Sequence, residues 1–304
     1  MKTPSAKTLK ITTLAENNAM SFLLGQWGLS FLLELVDARG EKRKIVFDTG
    51  KDKHALLHNV KNLKADLSDV DCVALSHGHL DHTAATVEIV KMAGGVKVYA
   101  HPHTFLPRFL KDKTGKKRDI GVPKGEGIAE IEKAGGKVTL GSKPTEIVPG
   151  VWTTGQITRT TSFECALPLS EKEKSIIVVH GKEADDQILD DRALWMQIEG
   201  IGPHVITGCA HSGLINTLRH VQEIGHLEQI HSLIGGTHLV GRSPDYLDKT
   251  IVELEKFDLK LISPCHCSGF VGMARLWNAF PSAFVLNFSG RTIEAGKEPK
   301  PRVF

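Results

Sequence analysis

Three histidines and an aspartate fall within six residues in the stretch Ser76-His77-Gly78-His79-Leu80-Asp81-His82-Thr83. Donors at this spacing suit a loop curled around a cation, because a helix would splay them around its axis. Imidazole combined with carboxylate favours zinc first, with iron or manganese as alternatives, over calcium or magnesium. Such ligands bind as neutral imidazole and ionised carboxylate, so metal occupancy is expected to fall in acid.

The elements that must hold these donors can be read around them. Asp71 to Leu75 reads as a short buried strand, and Thr83 to Met92 carries apolar residues at helical spacing. The donors therefore fall on a strand-to-helix turn, where open α/β sheets build their sites. The arrangement recurs at His204 to Thr207, a buried strand followed by Gly208-Cys209-Ala210-His211-Ser212-Gly213 and a helix from Leu214 to about Ile224. His211 reads as a further ligand. Ser212 reads as the helix cap, Gly213 admits another group to the backbone, and the free N–H groups there would form an anion site. Two more strands, Ile230 to Ile234 and Leu259 to Ile262, end in Gly235-Gly236-Thr237-His238 and in Ser263 to Gly269, each with a helix after it. Within Cys265-His266-Cys267, His266 is the economical single ligand, since three consecutive residues cannot comfortably bind one ion. The cysteines then support the site or simply pack.

Upstream, Lys10 to Leu14, Leu29 to Val36 and Lys44 to Phe47 read as strands opening an antiparallel sheet. Asp48-Thr49-Gly50 ends the third, so Asp48 either reaches into the site or caps a helix starting near Lys53. His101 and His103 flank Pro102 after another strand, and a turn or supporting role is expected of them. A polar insertion or lid at about residues 103–127 carries Lys111, Lys113, Lys116, Lys117 and Arg118. A charge run is usually a solvated face; the functional alternative is an anion-steering loop. Residues 128–135 read as a short helix, strands near 137–140, 145–148 and 151–154 indicate a second sheet, and two more strands at 175–179 and 193–199 flank an acidic segment. Asp185 to Asp191 is expected to be an acidic surface loop.

The chain has 304 residues, 41% hydrophobic and 24% charged, with a net charge of +3, which is the composition of an ordinary soluble globular protein. Nothing global points to nucleic acid. A small anionic, phosphate-bearing substrate is compatible with the charge, as is a homo-oligomer. No secretory signal is expected, because Ile11 to Met20 contains Glu16, Asn17 and Asn18. No apolar run suggests a membrane span, and five irregularly spaced cysteines do not make a disulfide framework, so a cytoplasmic location is expected. No Gly-x-Gly-x-x-Gly follows a strand and no Gly-Lys-Ser/Thr phosphate loop is present, which removes support for nucleotide cofactors.

Taken together, the first cluster, Asp48 and the later strand-closing histidines resemble the metallo-beta-lactamase superfamily over nearly the whole length. The resemblance implies a single α/β domain, residues 1–304, folded as an αββα sandwich of two mixed sheets with helices on both outer faces. It also implies a centre of two divalent ions at one edge. By that pattern His77 and His79 hold the first metal, Asp81, His82 and His266 the second, and Asp48 orients the cluster without binding.

Two departures point to a narrower branch. Thr154-Gly155-Gln156-Ile157-Thr158-Arg159 stands where a third histidine turn would be, and Cys209 stands where a bridging aspartate would be. Together with Gly28 to Phe31, Phe163-Glu164, Asp191 to Leu194, Gly208 to Asn216 and Gly235 to Leu239, these features resemble the 7,8-dihydropterin-6-yl-methyl-4-(beta-D-ribofuranosyl)aminobenzene 5'-phosphate synthase-like proteins. Gln156 and Thr158 replace the glutamate and proline usual there, so the loop on the substrate side is expected to differ. In this branch His211 supplies the missing ligand and Cys209 supports the centre, where its thiolate could also bind metal. Asp81 and His211 are the expected catalytic groups; Arg159, Ser212, Gly213, Asn216, His238 and Arg242 are the expected substrate contacts. The implied activity is a metal-dependent transfer joining a dihydropterin methyl pyrophosphate to a ribofuranosyl-aminobenzene phosphate with loss of pyrophosphate. The alternatives are a metal-dependent hydrolase of a phosphodiester, lactone or thioester, and a non-catalytic metal-bearing sensor.

Overall fold

A computed structural model describes residues 5–164 and 173–295. Apolar residues in Thr8–Ala15, Ser30–Val36 and Lys42–Phe47 produce three antiparallel strands buried on both faces over much of their length. The third pairs in parallel with Cys72–Ala74, which is followed across the sheet by Lys97–Ala100 and Lys137–Leu140, while Thr292–Glu294 closes the other edge. A second sheet runs in the order Thr145–Val148, Val151–Thr153, Ala193–Ile198, Gly202–Thr207, Ser232–Gly236 and Leu261–Cys265, with Ser5–Ala6 paired to Ala193–Ile198. Its last three strands are parallel, so their carboxyl ends lie together.

Three apolar clusters define the layers. One joins inward-facing residues of both sheets, including Phe31, Phe47, Leu194, Met196 and Ile234. A second packs the helices Leu214–Gly225, Pro244–Glu255 and Gly269–Ala279 on the outer face of the second sheet through Leu218, Leu254 and Leu276. The third packs Lys53–Leu63, Thr86–Met92 and Ile128–Lys133 on the outer face of the first through Leu56, Ile89 and Ile131. The architecture is the expected αββα sandwich with two mixed sheets, except that Lys137–Leu140, expected in the second sheet, pairs in parallel with Lys97–Ala100 at the edge of the first.

Four local readings are revised. The segment at 103–127 contains a hairpin, Arg108–Asp112 with Lys117–Asp119, that joins Glu173–Val179 and Lys182–Asp185 in a small antiparallel sheet. The helix expected over 83–92 is split into Leu80–Thr83 and Thr86–Met92; at the break the Thr83 and Thr86 hydroxyls donate to the carbonyls of His79 and Thr83. Asp52, not Asp48, caps the helix Lys53–Leu63, accepting from the N–H groups of His54 and Ala55. The acidic run is not a surface loop throughout, since Asp186, Asp190 and Asp191 are buried.

Among the described residues no helix is long and apolar enough to cross a membrane. Cys72, Cys209, Cys265 and Cys267 are buried free thiols; Cys165 lies outside the described residues.

Candidate metal centre

The turns after Cys72–Ala74, Gly202–Thr207 and Leu261–Cys265 bring their donors to one place. Coordinating atoms of His77, His79 and His211 lie within 4.8 Å of one another, and so do those of Asp81, His82 and His266. His77 Nε2 stands 2.9 Å from His79 Nδ1 and 3.2 Å from His211 Nε2, and His82 Nε2 stands 3.2 Å from His266 Nε2. Two nitrogens on one tetrahedral zinc ion, each at 2.0–2.1 Å, would be about 3.3 Å apart. The spacing is that of ligands around an ion.

The partners on the far side of each ring decide which nitrogen is free. Ser76 Oγ donates to Asp48 Oδ2 at 2.6 Å and accepts from His77 Nδ1 at 2.8 Å, so His77 Nε2 keeps its lone pair. His82 Nδ1 donates to Asp48 Oδ2 at 2.7 Å. His266 Nδ1 donates to Asn17 Oδ1 at 3.1 Å, and the Asn17 amide is oriented by its own donation to the His266 carbonyl. The Nε2 atoms of His82 and His266 thus both face the gap between them, where a shared proton or a bound cation relieves the repulsion of their lone pairs.

Electrostatics favour the same filling. Burial, reinforced by neighbouring histidines, holds His77 and His211 well below the ordinary imidazole value, and burial takes His79 down to about 3. These three are neutral and ready to coordinate at neutral pH. Burial opposes charge on His82, but Asp48's charge and hydrogen bond outweigh it and raise His82 to about 9. Positive charge is wanted at that position. Burial likewise opposes ionisation of Asp81, yet His266, His82 and His79 hold its carboxyl well below the usual range.

Close approach and strain mark the same turns. A Cβ on Gly208 would stand 2.1 Å from Ser76 Oγ, so only glycine lets the second turn lie against the first. Asp48, Ala210, His238 and His266 all have left-handed backbone, with φ of +59°, +58°, +48° and +53°. Non-glycine residues adopt this at a cost of about 1–3 kcal/mol each, and they gather at functional sites.

The pattern of the beta-lactamase superfamily domain matches residues 43–147. Over 94% of this chain and 96% of its own length, 7,8-dihydropterin-6-methyl-4-(beta-D-ribofuranosyl)-aminobenzene-5'-phosphate synthase of Methanocaldococcus jannaschii is 30% identical. The chain belongs to that synthase's branch of the metallo-beta-lactamase superfamily. An uncharacterised protein of the same organism is 31% identical over 88% of this chain and 93% of its own length. Among solved structures, Tm1679, described as a metal-dependent hydrolase of the beta-lactamase superfamily, overlays with a TM-score of 0.77 at 22% identity, covering 94% of this chain and 98% of its own. The metallo-beta-lactamase fold protein YhfI of Bacillus subtilis overlays at 0.51 with 13% identity, covering 95% and 99%. These overlays show the fold shared across the superfamily.

Other branch residues expected at the site lie as follows. Cys209 Sγ is 3.1 Å from His82 Nε2, and the His238 ring packs on His211 with centroids 4.2 Å apart. Arg242 stacks on Tyr246, 4.6 Å from the ring centroid, and donates from Nε to the His238 carbonyl. Arg159 donates to the Gln187 carbonyl and lines a cavity of about 510 Å³ with Ser142, Gln156, Ile157, Thr158 and Leu189. At the helix Leu214–Gly225 the cap is Glu164, not Ser212; its carboxylate takes the N–H groups of Ile215 and Asn216 at 2.8 Å each. The anion site expected there is therefore filled from within the chain. Asn216 holds the N–H groups of Thr160 and Thr161, and the Glu164 carboxylate fills the space a side chain at Gly213 would need. His101 is buried and accepts from the His103 N–H, and neither belongs to a donor cluster among the described residues.

The residues that sequence reasoning passed over are buried carboxylates and their cations. Asp190 accepts the Gly78 N–H at 2.7 Å and pairs with Arg108, while Asp191 accepts the Ser212 N–H at 2.8 Å. Burial pushes Asp191 up to about 6. Glu16 accepts the His266 N–H at 2.7 Å. The available signal was positional: Asp191 stands two residues before the apolar strand at 193–198, and Asp48 directly follows the strand at 42–47.

Proposed function

We propose that this protein is a two-metal transferase that condenses a dihydropterin methyl pyrophosphate with a ribofuranosyl-aminobenzene phosphate, releasing pyrophosphate. The observation that carries this reading is the 30% identity to the M. jannaschii synthase over 94% of the chain. His77, His79 and His211 would hold one divalent ion, and Asp81, His82 and His266 the other. When bound, such ions act as Lewis acids toward the oxygens of a departing polyanion.

The protein's own part is positioning and charge. Asp48 and Asn17 lock the rings of His82 and His266, and Ser76 locks His77, so the donors need little reorganisation. Asp81, with 16% of its side chain exposed, is the donor on the open side. Because Glu164 occupies the helix N-terminus, phosphate recognition falls instead to cations: Arg159 on the rim of the cavity and Arg242 beside His238.

The test is turnover of dihydropterin methyl pyrophosphate by zinc-loaded protein, with and without the ribosylated aminobenzene phosphate. Coupled product that requires the amine is expected. Pyrophosphate or monophosphate release indifferent to the amine would overturn the transfer and assign a hydrolase, and no turnover of either kind would reject the substrate. His79→Ala should lose at least one ion; a variant that keeps both would sink the ligand assignment.

A further inference from the structure

The three parallel strands Gly202–Thr207, Ser232–Gly236 and Leu261–Cys265 each deliver one more donor at their carboxyl ends: Cys209, His238 and Cys267. The two sulfurs and a ring nitrogen of His238 lie within 4.8 Å of one another, and all three residues are buried. Cys209 also borders the six-donor centre, its sulfur lying within 4.8 Å of donor atoms of His77 and His82, whereas His238 and Cys267 group with none of those six donors.

Packing does not account for the triad. Cys72 and Cys265 show what a packing cysteine looks like in this protein, since both lie in the apolar cluster between the sheets. Cys209 and Cys267 face polar groups: Cys209 Sγ is 3.1 Å from His82 Nε2, and Cys267 Sγ accepts the His238 N–H at 3.3 Å. His238 Nδ1 is buried with no hydrogen-bond partner, a state that needs an explanation in a native protein. The backbone makes room for the sulfur, because a Cβ on Gly236 would stand 2.8 Å from Cys267 Sγ and 2.1 Å from the Gly208 carbonyl. Left-handed residues occur in each turn, at Ala210, His238 and His266.

We propose that Cys209, His238 and Cys267 form a separate thiolate site for a soft divalent ion such as zinc, beside the histidine centre. Two thiolates and one neutral imidazole cancel the charge of such an ion locally, and each thiol loses its proton on binding. The histidine centre brings its own compensation in Asp81 and Asp48, so neither cluster depends on the other for neutrality. A fourth position stays open to a solvent molecule or a substrate oxygen, as in zinc sites with three protein ligands.

X-ray absorption at the zinc edge of the full-length, zinc-saturated protein tests this without mutation. A sulfur shell at about 2.3 Å is expected beside a nitrogen and oxygen shell at 2.0–2.1 Å; nitrogen and oxygen alone would overturn the proposal. Cobalt substitution then separates the two clusters. Sulfur-to-cobalt charge-transfer absorption should be largely lost in Cys267→Ser, with one ion fewer per chain, while Cys72→Ser and Cys265→Ser leave it unchanged. Full absorption in Cys267→Ser would overturn the triad, because the sulfur would then belong to Cys209 acting within the histidine centre. Ligand-field bands of a nitrogen-rich cobalt site report the histidine centre separately, so failure of one cluster is distinguishable from failure of the other.

Discussion

Replacing Arg108 with methionine should destabilise the protein strongly at neutral pH and much less in acid. The guanidinium is fully buried, with Nη2 2.5 Å from Asp190 Oδ1 and Nε 3.3 Å from Asp186 Oδ2. Removing one partner of a buried pair strands the other charge, at about 3–5 kcal/mol. The share of the loss that falls on Asp190, the shorter of the two pairs, has a ceiling, since Asp190 can neutralise itself by taking a proton. From an ordinary value of 3.8, that costs about 1.4 kcal/mol per pH unit, hence about 4 kcal/mol near pH 7 and about 2 near pH 5. In the native protein burial works against the Asp190 charge and Arg108 outweighs it, holding the pKa low, so its stabilisation is present above the unfolded value and lost below it. In the variant the folded pKa is raised instead, so the penalty shrinks as pH falls through it. Urea unfolding followed by tryptophan fluorescence at both pH values measures the gap. Adding Asp190→Asn to Arg108→Met should recover most of it. A gap below about 1 kcal/mol at neutral pH, or one that widens in acid, would refute the account.

Asp48→Asn removes the charge behind His82 and weakens the clamp on Ser76; metal affinity should drop by about 10–100-fold in a chelator competition, and an unchanged affinity would show the carboxylate to be dispensable. Glu164→Ala uncaps the helix Leu214–Gly225 and leaves the buried N–H groups of Ile215 and Asn216 without their acceptor, so a loss of about 2 kcal/mol is expected in denaturant titration, and a change within a few tenths would contradict the cap. His204, buried against His231, is held down to about 4 by burial, against the pull of the Gly202 carbonyl. Its folded pKa lies below the unfolded value of 6.5, so it stabilises fully above that value and progressively less as pH falls toward 4. That slope, on the order of 3 kcal/mol in total, should flatten in His204→Asn of the metal-loaded protein, and an unaltered slope would assign the effect elsewhere.

What could be read from the chain was whatever lay close together along it. His77, His79, Asp81 and His82 announce themselves because their donors share one turn, and the strands before His211 and His266 are apolar runs with turn residues after them. The partners of Asp190 and Glu164 are remote: Arg108 is 82 residues from Asp190, and Ile215 is 51 from Glu164. An acidic run without visible cations reads as solvated, yet Asp186, Asp190 and Asp191 are buried. Ser212 reads as a cap because serine in that place usually is one, but the Glu164 carboxylate takes the N–H groups of Ile215 and Asn216 at that helix start. The lysine-rich hairpin at 108–119 was equally opaque, since its strands are held by 173–179, a pairing that only the tertiary fold reveals.

Each turn that bears ligands is fastened by a buried carboxylate gripping its backbone. Asp48 takes the Ser76 N–H and Asp190 the Gly78 N–H on the first turn, Asp191 takes the Ser212 N–H on the second, and Glu16 takes the His266 N–H on the last. Charged acceptors on backbone donors are roughly twice as strong as neutral ones. They offset the left-handed strain at Asp48, Ala210 and His266, which sit in or beside these turns. The same carboxylates bring buried negative charge to the histidines, which Arg108 answers in part at Asp190 and His82 at Asp48, while Arg192 is spent on the carbonyls of Leu75 and Tyr99. Rigid turns and surplus negative charge together describe a centre shaped before its cations arrive. Metal binding should therefore raise the unfolding temperature without creating secondary structure, which separates this centre from small metal-dependent domains whose folding waits for the ion.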